Sequence, residues 1–179
     1  MKEFNFPDNI KNSPLRTVKK GEILLRNGEL PAELYYVVSG CLRGYILDQK
    51  GKEHIFIFAP EDWIIGDQGS LLNSAPALFN IDAIEDTTVR VIRHLNNIKL
   101  EDVDRGSLIQ MNKKFQNRIL ALQTRIIQLL SSSAEERYTS FVQTYPNLLQ
   151  RVPQKMIASY LGITPEGLSR VRKKIAGKK

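Results

Sequence analysis

Residues 152–175 read VPQKMIASYLGITPEGLSRVRKKI, and this stretch decides how the end of the chain folds. In its first half, Met156, Ile157 and Leu161 recur at the spacing of one helix face. Ala158 lies beside them and is small enough for a second helix to approach closely. The pattern therefore predicts a short helix in the first half of the stretch.

The second half carries the signals of a new helix. Gly162 stops the first helix. Thr164 is then an N-cap, Pro165 suits the first helical position, and Glu166 is an acid in the first turn. The apolar residues of this helix, spaced three and four apart, are Leu168, Val171 and Ile175. Its opposite, polar face contains Glu166, Ser169, Arg170 and Lys173. Two short helices joined by a tight turn predict a helix-turn-helix, with an ordinary αα-hairpin as the alternative.

The positive charge of the chain is concentrated in this segment. The net charge is +7, from 26 Lys and Arg and 19 Asp and Glu residues. Residues 151–179 hold eight of the basic residues and one acid, so the other 150 residues are balanced at 18 of each. A neutral body with a cationic end indicates a protein that docks on phosphates.

Composition excludes several classes of protein. The single cysteine, Cys41, cannot form an internal disulfide or a cysteine-held metal site, and we expect it to be buried. His54 and His94 are isolated from Cys and carboxylate clusters, so we predict no metal, no cofactor and no catalytic residue. There is no apolar run of about 18 residues and no signal-peptide pattern in MKEFNF. We therefore expect a cytoplasmic protein without a membrane partner.

The first half of the chain has the period of two that is typical of strands. Short runs rich in β-branched and aromatic residues are separated by Gly, Pro and Asn turn signals. The eight runs are residues 17–19, 23–26, 34–38, 41–47, 54–58, 63–65, 79–84 and 89–94. With the helices that follow, they predict an α+β chain whose N-terminal part is a β jelly-roll, or double-stranded β-helix.

A long helix is predicted from residue 98 to residue 131. Seven of its residues alternate four and three apart, as in a coiled-coil seam: Leu108, Asn112, Phe115, Ile119, Leu122, Ile126 and Leu129. This seam predicts a homodimer, with packing on the chain's own β domain as the alternative. A second stripe, expected to make that intramolecular contact, consists of Ile109, Leu120, Ile127 and Leu130.

The serine run 131–133 predicts the end of the long helix and a hinge. Ser133 and Glu136 form a capping box for a helix that continues to about residue 144. The predicted domains are therefore a β-roll sensor at 1–97, a dimerisation helix at 98–131 and a helix-turn-helix domain at 132–179.

Specific residues resemble the Crp/Fnr family of bacterial transcription regulators. Gly21-Glu22-Ile23-Leu24, Gly28 and the run LYYVVSG at 34–40 are similar to the opening of a cyclic-nucleotide-binding-type domain. Glu166, Ser169 and Arg170 match the E-x-x-S-R arrangement of Fnr-like recognition helices. The resemblance implies a homodimeric, sequence-specific transcription regulator, with double-stranded DNA, a second copy and RNA polymerase as partners.

The same resemblance assigns roles on the second helix. Arg170 is expected to contact a guanine and Glu166 a cytosine, with Ser169 beside them and Pro165 removing a further base contact. The expected phosphate contacts and positioning groups are Lys155, Thr164, Lys173 and Lys174. The sequence ends soon after this helix, so the β-wing found there in many members is expected to be absent or reduced.

The sensor departs from members that respond to cyclic nucleotides. Gly66-Asp67 resembles the pair that holds the ribose, but no basic residue occurs between Trp63 and Arg90 to hold the phosphate. We therefore predict no response to cyclic AMP. Gly66, Asp67 and Gln68 border a pocket for some other, unknown small-molecule effector, or they form a structural turn.

Two rival functions remain open. A jelly-roll also supports cupin-like metal enzymes, although these gather more histidines than the two present here. The other rival is a protein-docking module whose basic tail binds acidic partners.

Overall fold

The computed structural model describes residues 12–31, 33–93 and 105–177. His94 and the first part of the predicted long helix lie outside these ranges. The strands are β1 Leu15–Val18, β2 Ile23–Leu25, β3 Glu33–Ser39, β4 Leu42–Leu47, β5 Glu53–Ala59, β6 Ile64–Ile65, β7 Asn80–Ala83 and β8 Thr87–Arg93. The helices are α1 Gln68–Asn73, α2 Arg105–Ser131, α3 Ala134–Thr144, α4 Gln154–Leu161 and α5 Pro165–Ala176.

The strands form two four-stranded sheets with the orders β1-β8-β3-β6 and β2-β7-β4-β5. In the first sheet β3 pairs antiparallel with β8 and β6, and in the second β7 pairs antiparallel with β2 and β4. Alternate residues from both sheets, including Val37, Ile57 and Ile81, fill one shared apolar core. The residues next to them in the sequence point to the other face of their sheet, because side chains along a strand alternate between the two faces. The jelly-roll prediction is confirmed.

The strand predictions agree with the structure to within a few residues, and Cys41 is fully buried as expected. The helix α1 was not predicted. Its six residues are too few to show a helical period, and its N-cap, Asp67, had been interpreted as a ligand contact. From the sequence, this segment is therefore expected to be a turn or the edge of a pocket.

The predicted helix boundaries after residue 131 are confirmed by their caps. The Ser133 side chain accepts from the Glu136 N–H while the Glu136 carboxylate accepts from the Ser133 N–H, which is a complete capping box at the start of α3. Two compact units are present: residues 1–46 with 56–115, and residues 47–55 with 116–179. The finer domain bounds and the serine hinge stay predictions.

The faces of α2 differ from the sequence interpretation. Every residue of the second stripe is exposed, with Ile109 at 59%, Leu120 and Ile127 at 61% and Leu130 at 82%. Within the single chain this stripe is therefore uncovered, and its packing on the β domain stays a prediction. In the predicted seam, Leu108, Phe115 and Leu122 are half-buried, whereas Ile119 and Ile126 are 56% and 58% exposed. The partly buried residues of α2 thus lie on the side of the helix that carries half of the seam, and the exposed apolar residues lie on the neighbouring side.

Candidate functional site

The helix-turn-helix of α4 and α5 is set by local backbone chemistry. Gly162 follows α4 with φ 67°, a left-handed conformation that favours glycine, and its N–H reaches back to the Ala158 and Ser159 carbonyls. Thr164 then caps α5, because its hydroxyl accepts from the Gly167 N–H at 3.1 Å. Pro165 occupies the first turn as predicted. The turn and both helix ends are therefore those expected from the sequence.

The inner face of this motif is apolar and buried. Leu168 and Leu161 are 1% and 0% exposed, and Val171 is 9% exposed. Phe141 of α3 and Tyr160 of α4 pack with their ring centroids 5.4 Å apart. Ile163, in the turn between the two helices, is half-buried. Burial of one side of α5 leaves its other side facing solvent.

The residues predicted to contact DNA are exposed together. They are Lys155, Thr164, Pro165, Glu166, Ser169, Arg170, Lys173 and Lys174. The pKa of the Glu166 carboxyl is lowered, chiefly by its own backbone N–H and then by the Thr164 hydroxyl, with a smaller contribution from the charge of Arg170. Glu166 is therefore an ionised acceptor on the same exposed surface as the Arg170 donor.

Lys174 has a partner within the chain. Its Nζ forms an ion pair with Glu135 in the first turn of α3. A cavity of about 410 Å³ lies beside this pair, and its lining includes Thr164 and Arg170. The role of Lys174 as a phosphate contact stays a prediction, and it would compete with Glu135 for the ammonium group. The sequence did not reveal this contact because the two residues are distant along the chain.

The second predicted site, Gly66, Asp67 and Gln68, has a structural role at its centre. Asp67 is 5% exposed; one carboxylate oxygen accepts from the Ser70 N–H at 3.1 Å and the other from the Leu78 N–H at 2.8 Å. Gly66 has no space for a side chain, because an added Cβ would lie 2.2 Å from Leu34. The Asp67 carboxylate is thus used to cap α1 and to hold the loop before β7. Ligand binding by these residues stays a prediction.

A buried arginine in the β-roll was missed by the sequence analysis. Arg43 of β4 donates to both carboxylate oxygens of Asp82 of β7, at 2.7 and 2.8 Å, and the two side chains are 6% and 9% exposed. The guanidinium also lies 4.4 Å from the Tyr45 ring centre. Asp82 takes two of the five N–H donors of this guanidinium in a bidentate pair, so the charge of Arg43 is already balanced inside the β-roll.

Metal and membrane chemistry find no support in the described ranges. Within residues 12–31, 33–93 and 105–177, no group of three or more His, Cys, Asp or Glu residues could hold a metal ion. His54 has one carboxylate neighbour, Asp48, at 2.9 Å. In the same part of the chain, no helix is long and apolar enough to cross a membrane.

Comparison with known proteins defines the class of the first unit. Residues 15–100 match the family described as "Cyclic nucleotide-binding domain". The fold of the whole chain is similar to that of FixK2 from Bradyrhizobium japonicum, with a TM-score of 0.76 at 20% identity over 93% of this chain and 85% of that one.

Curated relatives extend the match into the helical unit. The transcriptional activator protein Anr of Pseudomonas protegens is 28% identical over 87% of this chain and 68% of its own length. The electron transport regulator A of Shewanella oneidensis is 25% identical over 87% of this chain and 66% of its own length. The chain thus spans about two thirds of these relatives. The chain is therefore similar to transcription regulators rather than to enzymes, which agrees with the prediction of a Crp/Fnr-type regulator.

Proposed function

We propose that this protein is a homodimeric regulator that recognises a specific inverted repeat in double-stranded DNA through α5. The observation that carries the proposal is the shared exposed surface of Glu166, Ser169 and Arg170 on a helix whose opposite side is buried by Leu168 and Val171. A recognition helix of this kind presents its first turns to base edges in the major groove.

The chemistry of these side chains fits base recognition. A guanidinium can donate two hydrogen bonds to the O6 and N7 atoms of guanine, and a carboxylate can accept from the cytosine amino group. Arg170 and Glu166 are four residues apart, so they are neighbours on the helix surface. The Fnr-like E-x-x-S-R pattern suggests a TTGA-like core in each half-site, with half-site centres about one helical turn apart.

Other exposed groups would position the helix without selecting sequence. Lys155 and Lys173 supply charge for backbone phosphates, and the N–H groups at the start of α5 favour an anion there. The concentration of the net charge in residues 151–179 supports this arrangement. RNA polymerase is the proposed downstream partner, in keeping with the family.

Dimer formation is proposed through α2. Ile119 and Ile126 of the seam and Leu120 and Ile127 beside them are all more than half exposed in the single chain. Adjacent exposed Ile and Leu residues along a 27-residue helix form an apolar surface that a second copy of the same helix can cover. Two recognition helices would then bind an inverted repeat, as two-fold symmetry requires.

Cyclic AMP is not the proposed effector. The buried carboxylate of Asp67 is used by two backbone N–H groups, and the loop that follows supplies no arginine or lysine up to Arg90. A cyclic phosphate would therefore lack a charge-assisted partner in this loop. An effector of different chemistry, or none, is compatible with the proposal.

The test is a selection of bound sequences from random DNA. It is carried out separately with the purified parent protein and with the variants Arg170→Ala and Lys173→Ala. The parent is expected to enrich an inverted repeat. Arg170→Ala should cost about 1–3 kcal/mol per half-site and flatten the preference at the guanine, whereas Lys173→Ala should weaken all sequences alike and reduce the salt slope by about one unit. If Arg170→Ala keeps the parent's preference, α5 does not contact the bases.

A further inference from the structure

Two guanidinium groups lie where the end of α2 meets the helix-turn-helix. The first belongs to Arg137 of α3. Its Nε donates to the Leu161 carbonyl at 2.9 Å, and its Nη1 donates to the Ser132 carbonyl at 2.6 Å. Leu161 is the last residue of α4, and Ser132 directly follows α2. One planar, rigid group therefore binds the carbonyl ends of two helices that no intrahelical bond satisfies.

The second guanidinium belongs to Arg125 of α2. Its carbon Cζ lies 4.0 Å from the ring centre of Tyr160 in α4, and its residue is 8% exposed. Its Nε and Nη1 atoms are buried without a hydrogen-bond partner in the described part of the chain. Burial lowers the pKa of the Arg125 guanidinium, and the nearby charge of Arg137 adds to this effect. A buried guanidinium whose Nε and Nη1 groups lack hydrogen-bond partners is unfavourable for folding, even with an aromatic ring beside it. We therefore look for its role in the placement of the helices.

The same region is otherwise tightly packed. Tyr160 packs against Phe141 and Tyr145, with ring centroids 5.4 and 6.1 Å away. A Cβ added to Gly162, in the turn between α4 and α5, would lie 3.3 Å from the Leu129 side chain near the end of α2. Gln128 of α2 also donates to the Ser140 hydroxyl of α3 at 2.7 Å. The end of α2 is thus in direct contact with both α3 and the turn that precedes the recognition helix.

We propose that Arg125 and Arg137 are positioning residues that fix the angle between α2 and α5, and so the separation of the two recognition helices in the dimer. This inference rests on the proposed function. Helix α5 has 12 residues, which is a length of about 18 Å. A rotation of about 10° at its base would move its far end by about 3 Å, which is close to the rise of one base pair. A small change at these arginines would therefore shift the preferred half-site spacing.

The angle can be measured without DNA. Spin labels are placed at Thr124→Cys on α2 and Ala176→Cys on α5, both exposed, with Cys41→Ser to remove the buried native thiol. Labelled chains are mixed with an excess of unlabelled protein so that the distance within one chain is read. The parent is expected to give one narrow distance distribution. Arg137→Lys keeps the charge but loses the forked donor, and it should broaden the distribution at least twofold.

Arg125→Met is the second variant, since it removes the unpartnered charge at similar volume. It should raise the melting temperature and still broaden the distance distribution. If Arg125 only stabilised the fold, its removal would lower the melting temperature instead. Arg105→Lys, at an exposed site on the same helix, is the matched control and should leave the distribution unchanged. If Arg137→Lys does not fold, Arg125→Met alone decides.

The second experiment measures DNA affinity for a series of inverted repeats in which the spacing between the half-sites changes in steps of one base pair. The parent should prefer one spacing by about tenfold, and both variants should reduce that preference to within about threefold while retaining the affinity for a single half-site. A parent that binds no inverted repeat better than one half-site contradicts the proposed function, and the label distances then still decide the positioning role. Unchanged distance distributions in the folded variants overturn the positioning role.

Discussion

Asp67 before α1 and Thr164 before α5 are both N-caps, and both precede a short helix at a predicted binding site. Asp67 is 5% exposed and both of its carboxylate oxygens accept backbone N–H groups. At α5 the cap is the uncharged Thr164 hydroxyl, and the charged groups of Glu166 and Arg170 are exposed at the surface. The same local motif therefore stabilises the fold in one place and precedes the proposed binding surface in the other. What separates them is whether the charged group itself is the cap.

The largest expected effect concerns the dimer, which a protein needs in order to bind both halves of an inverted repeat. Ile119→Lys with Ile126→Lys should make the protein monomeric at micromolar concentration, because charges would be buried at an apolar interface. DNA affinity should then fall by about a hundredfold or more, since the two half-sites no longer act together. Light scattering measures the first result and titration of an inverted repeat the second.

Asn117→Lys with Thr124→Lys is the matched control, because it adds the same charges to exposed polar positions of α2. It should remain dimeric. A monomeric parent, or a double Ile119/Ile126 variant that stays dimeric, would show that α2 is not the interface.

The next effect is on the stability of the β-roll. Asp67→Ala removes the acceptor of two backbone N–H groups and should lower the free energy of unfolding by about 2–3 kcal/mol. Asp67→Asn keeps one acceptor oxygen and should cost less. Trp63, the only tryptophan and a neighbour of the core, reports the transition by fluorescence during chemical denaturation. Equal stability of Asp67→Ala and the parent would mean that the carboxylate is not a structural cap.

Features that depend on residues close together in the sequence could be predicted from it, whereas contacts between distant residues could not. Thr164 and Gly162 act on backbone within three or four residues, so their caps and the turn were predicted correctly. The ion pair of Arg43 with Asp82 joins residues 39 positions apart and leaves no local pattern. The faces of α2 could not be assigned from the sequence for a related reason. Periodicity locates apolar stripes on a helix, but it does not say which stripe meets the chain's own surface.

A smaller, pH-dependent effect on stability is expected at Glu166. The pKa of Glu166 is lowered in the folded chain, so its contribution to stability is present above the ordinary pKa of a glutamate and is lost as the pH falls through the lowered value. The melting temperature of Glu166→Gln should therefore lie below that of the parent at pH 7, and the difference should vanish in acid. A difference that persists unchanged at pH 3 would contradict this assignment.

The smallest expected effect is the response to cyclic AMP. At millimolar concentration it should not raise the melting temperature of the full chain appreciably, because the loop between Asp67 and β7 offers no cationic partner for the phosphate. Thermal unfolding with and without the nucleotide checks this. A saturable stabilisation accompanied by tighter DNA binding would overturn the argument and return Asp67 to a ligand-binding role.

The central claim is that Arg170 contacts a guanine in each half-site. It is tested most directly by measuring the affinity of the parent and of Arg170→Ala for one inverted repeat, with guanine or 7-deazaguanine at that position. The analogue lacks the N7 acceptor, so the parent should lose about 1 kcal/mol per half-site. Arg170→Ala should bind both DNAs equally well. If the parent binds both equally, or if parent and variant lose affinity by the same factor, Arg170 does not make this contact.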